Sequence, residues 1–409
     1  MLIKKLSAIA AVAGFCTFST PAVADETAEL KAMLEKQQAQ IEALSQKLEK
    51  QETIHNEALT HYIKNEVDRA LADHSGSLLT LGSNVENLTF KGDLRVRFEN
   101  RDRSDSDEER NRWRQRFRLG FNWKTSEGWE VGAGLATGGS DATSTNDTYS
   151  DGAAFQTGDI RLDYAYAKHK FDNGLSLTFG QHKNPYVHSK ILFDSDVRPV
   201  GLTANYADDS FFATTGIYEV YNYDASNQDS AKMGALQVGM KASGFTVAAG
   251  YYHYNSSASV DEDGVALGTQ DSEFQVAQAY AGYKGKTDSF KYAVYGEYFV
   301  NIGADNDGTT QGGGDSSNPE DEDTAIVLGA EIGVDAWKFS YRYHDVEADA
   351  APAYLLDGDF GGQGTDGHTF KVGYKVTKNF SIGTYYRMAE RQSDGRDEDL
   401  LQVDFKYKF

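Results

Sequence analysis

The chain is short of the residues that staple or anchor a protein. It has one cysteine and five prolines in 409 residues. Cys16 falls inside a segment read below as a leader, so the rest of the chain has no thiol. That excludes a disulfide framework, thiol catalysis and a cysteine-ligated metal. No run of about 20 apolar residues is present, so no spanning helix is expected. A basic excess is also missing. The formal charge is −22, and non-specific nucleic-acid binding needs a cationic face, so no nucleic-acid partner is expected. What is abundant is 40 Gly, 24 Tyr and 22 Phe. That composition suits many strands joined by turns.

Lys4 and Lys5, the mostly apolar stretch 6–18 and Ala22-Val23-Ala24 are the charged, apolar and small-residue parts of a secretory leader. Residues 1–24 are therefore read as a signal peptide. Phe15 stands where a lipoprotein signal needs a small residue, which removes Cys16 as a lipidation site. Residues 25 to about 73 contain no Gly or Pro and are rich in good helix formers. Leu34, Ile41 and Leu48 recur every seven residues, with Gln37, Leu44 and Gln51 between them. That is a heptad seam. It breaks near His55 and continues through Leu59, Ile63, Val67 and Ala70, as after a stutter. Residues 25–80 are expected to form a periplasmic α-helical coiled coil between copies of the chain. At 1.5 Å per residue, 28–71 would reach about 66 Å.

From Leu88 the period changes to two. In Trp113–Lys124 one face is Trp113, Gln115, Phe117, Leu119, Phe121 and Trp123, and the other carries Arg114, Arg116 and Arg118. Alternation of this length matches strands that cross a bilayer at a tilt. Sixteen such runs are predicted: 88–99, 112–124, 128–138, 158–171, 174–182, 198–206, 210–220, 231–242, 244–254, 273–285, 288–302, 322–334, 335–346, 366–377, 378–391 and 397–408. Their connections alternate between short turns and long loops. An outer-membrane barrel sorts its connections this way, with turns in the periplasm and loops outside. The fold class is therefore all-β, a 16-stranded antiparallel transmembrane barrel over 81–409. Trp113, Trp123, Trp129 and Trp337 lie near strand ends, where interfacial girdles sit. The last strand places Phe405, Tyr407 and the terminal Phe409 on one face, an amphipathic ending that resembles the signal read by the barrel assembly machinery.

The whole chain after the leader, a coiled coil followed by sixteen strands and a terminal Phe, resembles Gram-negative trimeric porins. It is most similar to the putative-porin families that carry an N-terminal coiled coil. The most specific stretch is Gly180-Gln181-His182-Lys183-Asn184-Pro185-Tyr186, continuing to Phe193-Asp194-Ser195-Asp196 and Gly201-Leu202. It lies where general porins fold a loop into the lumen. The resemblance implies a constriction loop formed by His182, Lys183, Asn184, Pro185, Tyr186, Asp194, Asp196 and Arg198. It also implies a homotrimer in the outer membrane, in contact with lipopolysaccharide, passing small hydrophilic solutes or ions by diffusion.

Strand parity adds a charge pattern. With the apolar faces toward lipid, Arg95, Arg97, Arg114, Arg116, Arg118 and Arg161 line the lumen near the seam where the last strand meets the first. Such a basic wall favours anions; the competing reading leaves these arginines as solvated lumen groups. The negative charge concentrates at 255–272, 302–323 and 346–366, which hold four, seven and five acids and no Lys or Arg. These are expected to be outside loops, around a water-filled channel. Asp305-Asn306-Asp307-Gly308 lacks the glutamate of a calcium loop, since position 316 is Ser, so no metal ligand is assigned. No Ser lies in a G-x-S-x-G context and the nine His are scattered, so neither enzyme activity nor a cofactor is expected. The alternative function is an envelope tether, with the coiled coil touching peptidoglycan and the barrel as anchor.

Overall fold

A computed structural model describes residues 35–36, 38–47, 50, 87–106, 108–221, 231–255, 258–260, 266–269, 274–305 and 318–409. The predicted signal peptide lies outside these residues, and so does most of the expected coiled coil. The described part of 35–50 is helical, and Ile41 and Leu44 of the expected seam are 64% and 65% exposed in the single chain. No described helix is long and apolar enough to cross a membrane.

The unit Val85–Phe409 is a closed barrel. Its strands are β1 (Leu88–Arg103), β2 (Arg110–Lys124), β3 (Trp129–Thr137), β4 (Ile160–Lys170), β5 (Leu175–Gln181), β6 (Val200–Ala207), β7 (Phe211–Tyr221), β8 (Ala231–Ala242), β9 (Phe245–Tyr254), β10 (Gln275–Lys286), β11 (Lys291–Asn301), β12 (Thr324–Val334), β13 (Trp337–Val346), β14 (Thr365–Lys375), β15 (Phe380–Arg391) and β16 (Arg396–Lys408). Each pairs antiparallel with its neighbours in sequence, and β16 pairs with β1 from Asp93↔Lys408 to Arg103↔Glu398. All sixteen predicted runs are present. Closure leaves no open edge, the condition for crossing hydrocarbon with strands. One two-residue bridge, Asp147–Thr148, extends the partnership of β2 where β3 is short.

Parity sorts the side chains. Phe90, Ile217 and Leu236 face outward at 63%, 64% and 50% exposure, which only a lipid environment makes favourable. The short connections gather at one rim, where an aromatic belt rings the barrel. The ring of Trp129 lies 4.8 Å from that of His169, Phe245 4.5 Å from Tyr283, and Trp337 4.6 Å from Tyr374, each pair tilted. Aromatic girdles of this kind mark a membrane–water interface.

Two expectations fail inside the barrel. The lumen is not simply water-filled, and the acidic segment after β13 is not an outside loop. Residues 182–199 and 347–364 both fold inward. Ile191, Leu192 and Phe193 of the first and Ala350, Ala351, Leu356 and Phe360 of the second are at most 3% exposed. They form one apolar cluster with Tyr252, Tyr254, Val276, Phe299, Val327 and Val346 from the inner wall of β9–β13. The physical reason lies in those strands: at their long-loop ends both faces are apolar, and the inward face needs a partner other than water. Each fully buried Leu, Ile or Phe in the cluster contributes about 1.5–3 kcal/mol. Most of 255–272 and of 302–323 lies outside the described residues.

The seam depends on Gly92. Its N–H donates to Phe409 O at 3.0 Å and its carbonyl accepts from Phe409 N at 3.2 Å. A Cβ at Gly92 would sit 2.3 Å from Arg118 O and 2.5 Å from the Phe409 ring, whereas one at Gly234 would meet nothing within 4 Å. Gly92→Val should therefore cost about 1–3 kcal/mol and lower the temperature at which the folded band unfolds on a gel. Gly234→Val should leave that temperature unchanged. Equal shifts in the two variants would show that the seam does not need this close approach.

Candidate functional site

Residues 182–199 enter the lumen from the end of β5. Gly180 adopts φ +102 there, and a Cβ would lie 2.4 Å from Ala165 O, so the chain turns inward at a residue without a side chain. The entry is fixed by a chain of hydrogen bonds. His182 Nδ1 donates to Lys183 O at 2.8 Å, since a carbonyl only accepts. His182 Nε2 then accepts from Thr203 Oγ1 at 3.0 Å. That leaves the Tyr218 hydroxyl to donate to Thr203 at 2.7 Å, and Tyr186 to donate to Tyr218 at 2.9 Å. Burial pushes His182 below its ordinary pKa and keeps it in this neutral form. Asn184 Oδ1 accepts from Tyr186 N at 2.9 Å, which closes a turn around Pro185.

The middle of the loop is held by the far wall. Gln237 of β8 takes both backbone groups of Val187: its Oε1 accepts the N–H and its Nε2 donates to the carbonyl, each at 2.8 Å. Gln278 of β10 also donates to Val187 O at 2.9 Å and to Glu297 of β11. Glu297 accepts from Ser189 N at 2.9 Å. A loop inside a barrel has no sheet partner, and these amides and this carboxylate supply one.

Its far end reaches the arginines. Asp196 accepts from Thr145 N and Oγ1 at 3.2 and 2.8 Å and lies 3.3 Å from Arg118 and 3.8 Å from Arg198. Burial alone would raise its pKa, but Arg116 and Arg118 hold it below the usual carboxylate range. Arg198 pairs with Asp163 at 3.2 Å. A bulge in β4, opposite Gly134 and Leu135, turns Asp163 inward beside Tyr164.

The basic wall is a ladder across the seam. Arg95 stands opposite Arg116 and Arg97 opposite Arg114. Like charges at this spacing repel, and carboxylates interleave them. Asp404 holds Arg97 at 2.7 Å and Arg95 at 3.5 Å. Asp93 holds Arg116 and Arg118 at 2.7 and 2.8 Å. Glu99 takes Arg112 at 2.6 Å and Arg114 at 3.8 Å. Asp359, from the second infolded segment, lies 3.6 Å from Arg97. Strand parity alone puts the arginines and three of these carboxylates, Asp93, Glu99 and Asp404, on one face. Asp359 had no local signal, because its position depends on the fold of 347–364. Arg161 points inward but stands apart from the ladder: its guanidinium is taken up by the carbonyls of Gly139, Asp141 and Ser144, the last two at 2.5 and 2.7 Å. Lys183 and Pro185 sit at the loop entry.

The two infolded segments are joined to each other. Asp194 N donates to Leu355 O at 2.8 Å and Asp357 N to Ile191 O at 3.2 Å. This brings Asp194, Asp357 and Asp359 together. Burial, then the nearby Asp357, pushes the Asp194 carboxyl up to about 9. Burial and Asp359 raise Asp357 as well. Asp359 moves the other way: burial alone would raise it, but Arg97 and Lys371 hold it well below the usual carboxylate range. Among the described residues no grouping of His, Cys, Asp and Glu is suited to hold a metal ion.

Residues 100–287 match a family model described as putative porin, a little under half of the chain. Over this stretch the chain is similar to the putative porin family. The porin match takes in β2 and the whole of 182–199, and it stops short of 347–364. Solved barrels agree in fold. Pseudomonas putida OprB, in a high-pH structure, is 14% identical, with 82% of this chain and 97% of that one covered and a TM-score of 0.54. Salmonella typhi OmpF, in a complex with daunomycin, is also 14% identical, with 79% and 97% covered and a TM-score of 0.53. At this identity the likeness is one of fold. No curated protein matches the chain in sequence. The partial family match and the fold support an outer-membrane β-barrel of the porin kind, and they point to a channel rather than an enzyme.

Two predictions follow from the loop contacts. Glu297→Leu removes the acceptor for Ser189 N and for one N–H of the Gln278 amide, leaving these two donors unsatisfied at a cost of about 1–3 kcal/mol each. The loop should loosen, and planar-bilayer conductance should rise; conductance equal to wild type would mean the loop is held without Glu297. The second concerns pH. An acid with a raised folded-state pKa binds its proton more tightly when folded, so stability falls as pH rises from the ordinary carboxylate value of about 4 toward about 9 for Asp194. The thermal midpoint should therefore fall across that range, and Asp194→Asn should flatten the fall. Identical slopes in the two proteins would remove Asp194 from the junction.

Proposed function

We propose that the protein is a passive diffusion channel for small hydrophilic solutes in the outer membrane, and that it favours anions. The observation that carries this reading is the loop 182–199, fixed across the lumen with its Asp196 against the arginine ladder. A loop in that place narrows the passage to the side lined by Arg95, Arg97, Arg114, Arg116 and Arg118. Around that side the cations, with Arg112, Arg198 and Lys406, outnumber the carboxylates Asp93, Glu99, Asp163, Asp196, Asp359 and Asp404. In a narrow low-dielectric passage a small excess of fixed charge biases which ion enters. The pairing tempers this preference, because each carboxylate already spends part of the arginine field.

The heptad pattern of 25–80 supports a trimer whose coiled coil stands in the periplasm. The ending Phe405, Tyr407, Phe409 supports recognition by the barrel assembly machinery. On β16 these side chains face outward at 39%, 48% and 50% exposure. Contacts with lipopolysaccharide follow from an outer-leaflet location.

Single-channel recording of the purified protein under a salt gradient tests the reading. Three-step openings with a reversal potential on the anion side are expected. Replacing Arg114, Arg116 and Arg118 together by Gln, which keeps a donor for Asp93 and Glu99, should move the potential toward cations. A potential that does not move would take these residues out of the selectivity site, and an inserted barrel that never opens would refute the channel.

A further inference from the structure

A second inward cluster lies apart from the ladder. Arg342 of β13 stands opposite Thr369 of β14, and Thr369 opposite Arg387 of β15. Neighbouring strands are about 4.8 Å apart, so the two arginine positions are roughly 10 Å apart with a hydroxyl between them. All three face inward, at 7%, 1% and 0% exposure. Lys371, next along the same face of β14, reaches over the Tyr385 ring at 4.7 Å and is open to the lumen.

Each of these groups has a donor atom that lacks an acceptor. Arg342 Nε and Nη2, Thr369 Oγ1 and Arg387 Nε are buried without a hydrogen-bond partner among the described residues. The carboxylates nearby are engaged elsewhere. Glu297 is held by Ser189 and Gln278, Asp359 by Arg97, and Asp345 by Gln392. Arg387 is partly served: its Nη2 pairs with Glu398 and its Nη1 donates to Asp359 O at 3.2 Å, which leaves Nε open. Asp357 accepts from Asp359 N at 3.0 Å. A buried guanidinium edge without an acceptor is costly, and the cost is relieved when an anion fills the gap.

The atoms left open identify the chemistry. Nε and Nη2 form the side edge of a guanidinium, which matches two oxygens of a carboxylate or phosphate. Three other arginines of this barrel fill the same edge. Arg97 uses it on the two oxygens of Asp404 at 2.7 and 3.0 Å, and Arg116 and Arg118 use it on Asp93. Arg95, Arg114 and Arg198 also bury an unpartnered Nε but give Nη2 a partner, so among the described arginines Arg342 alone has both atoms buried and open.

We infer that Arg342, Thr369 and Arg387, with Lys371 at the mouth, form a binding site for the oxyanion group of a passing solute, a phosphate or a carboxylate. The inference rests on the channel reading for how a solute arrives there. Its chemistry is independent of that reading, and the experiment separates the two.

Isothermal titration of the folded protein in detergent uses inorganic phosphate and acetate as probes. Saturable binding of at least one is expected, and which one binds assigns the group. Arg342→Gln should weaken it roughly tenfold, the worth of one charge-assisted pair, and Thr369→Val by less. The valine variant keeps the volume of threonine and carries the test if the arginine variant does not fold. Wild-type protein that binds neither anion, or two variants that bind as wild type does, would overturn the site. Conductance in potassium chloride is measured on the same preparation. Conduction without anion binding would sink the site and leave the channel standing. Anion binding by a silent barrel would do the reverse.

Discussion

The interior of this barrel depends on how a loop satisfies its own backbone once it has left the wall. Inside a closed sheet every strand edge is already paired, so residues 182–199 have no ladder to join. Gln237, Gln278 and Glu297 stand in for a strand. Two amides and a carboxylate on three different strands capture the N–H and carbonyl of Val187 and the N–H of Ser189. Without them the polar backbone would have to be hydrated where Ile191, Leu192 and Phe193 exclude water. The apolar cluster and the polar anchor therefore require each other.

The loop divides the lumen chemically. On one side lie Tyr252, Phe299, Val327 and the apolar part of the second infolded segment; on the other lie the arginines of β1 and β2, which that segment reaches only through Asp359. Asp196 and Asp194, two residues apart, serve the two sides. Asp196 meets Arg118 and is held as a carboxylate, while Asp194 meets Asp357 and is held as an acid. Their opposite protonation comes from their neighbours alone, since burial acts on both in the same direction.

Much of this was readable from residue order. Period-two alternation located sixteen strands, because a strand with lipid on one face and lumen on the other must alternate. The motif from Gly180 to Tyr186 located the first inward loop. The second was missed for a physical reason. Asp349, Asp357 and Asp359 were counted as solvated surface charge, yet the same segment carries Ala350-Ala351-Pro352-Ala353-Tyr354-Leu355-Leu356, a run that is costly to leave in water. The companion signal was the loss of polar parity at Tyr252, Tyr254, Phe299 and Val327, inward positions on strands whose outer faces are also apolar. Parity was a sound guide to which arginines face inward. It was blind to which carbonyl or carboxylate each would find, and Arg161 shows the difference.

The two infolded segments grip each other through a pair of backbone bonds and press on the inner wall from β7 to β13. An empty cylinder of sheet is easily squeezed into an oval, because bending costs little when nothing occupies its centre. Here the filling acts as an internal strut. Lateral pressure from the lipid must compress close-packed side chains before it can change the cross-section, so the gap beside the arginines keeps its width while the bilayer around it changes tension.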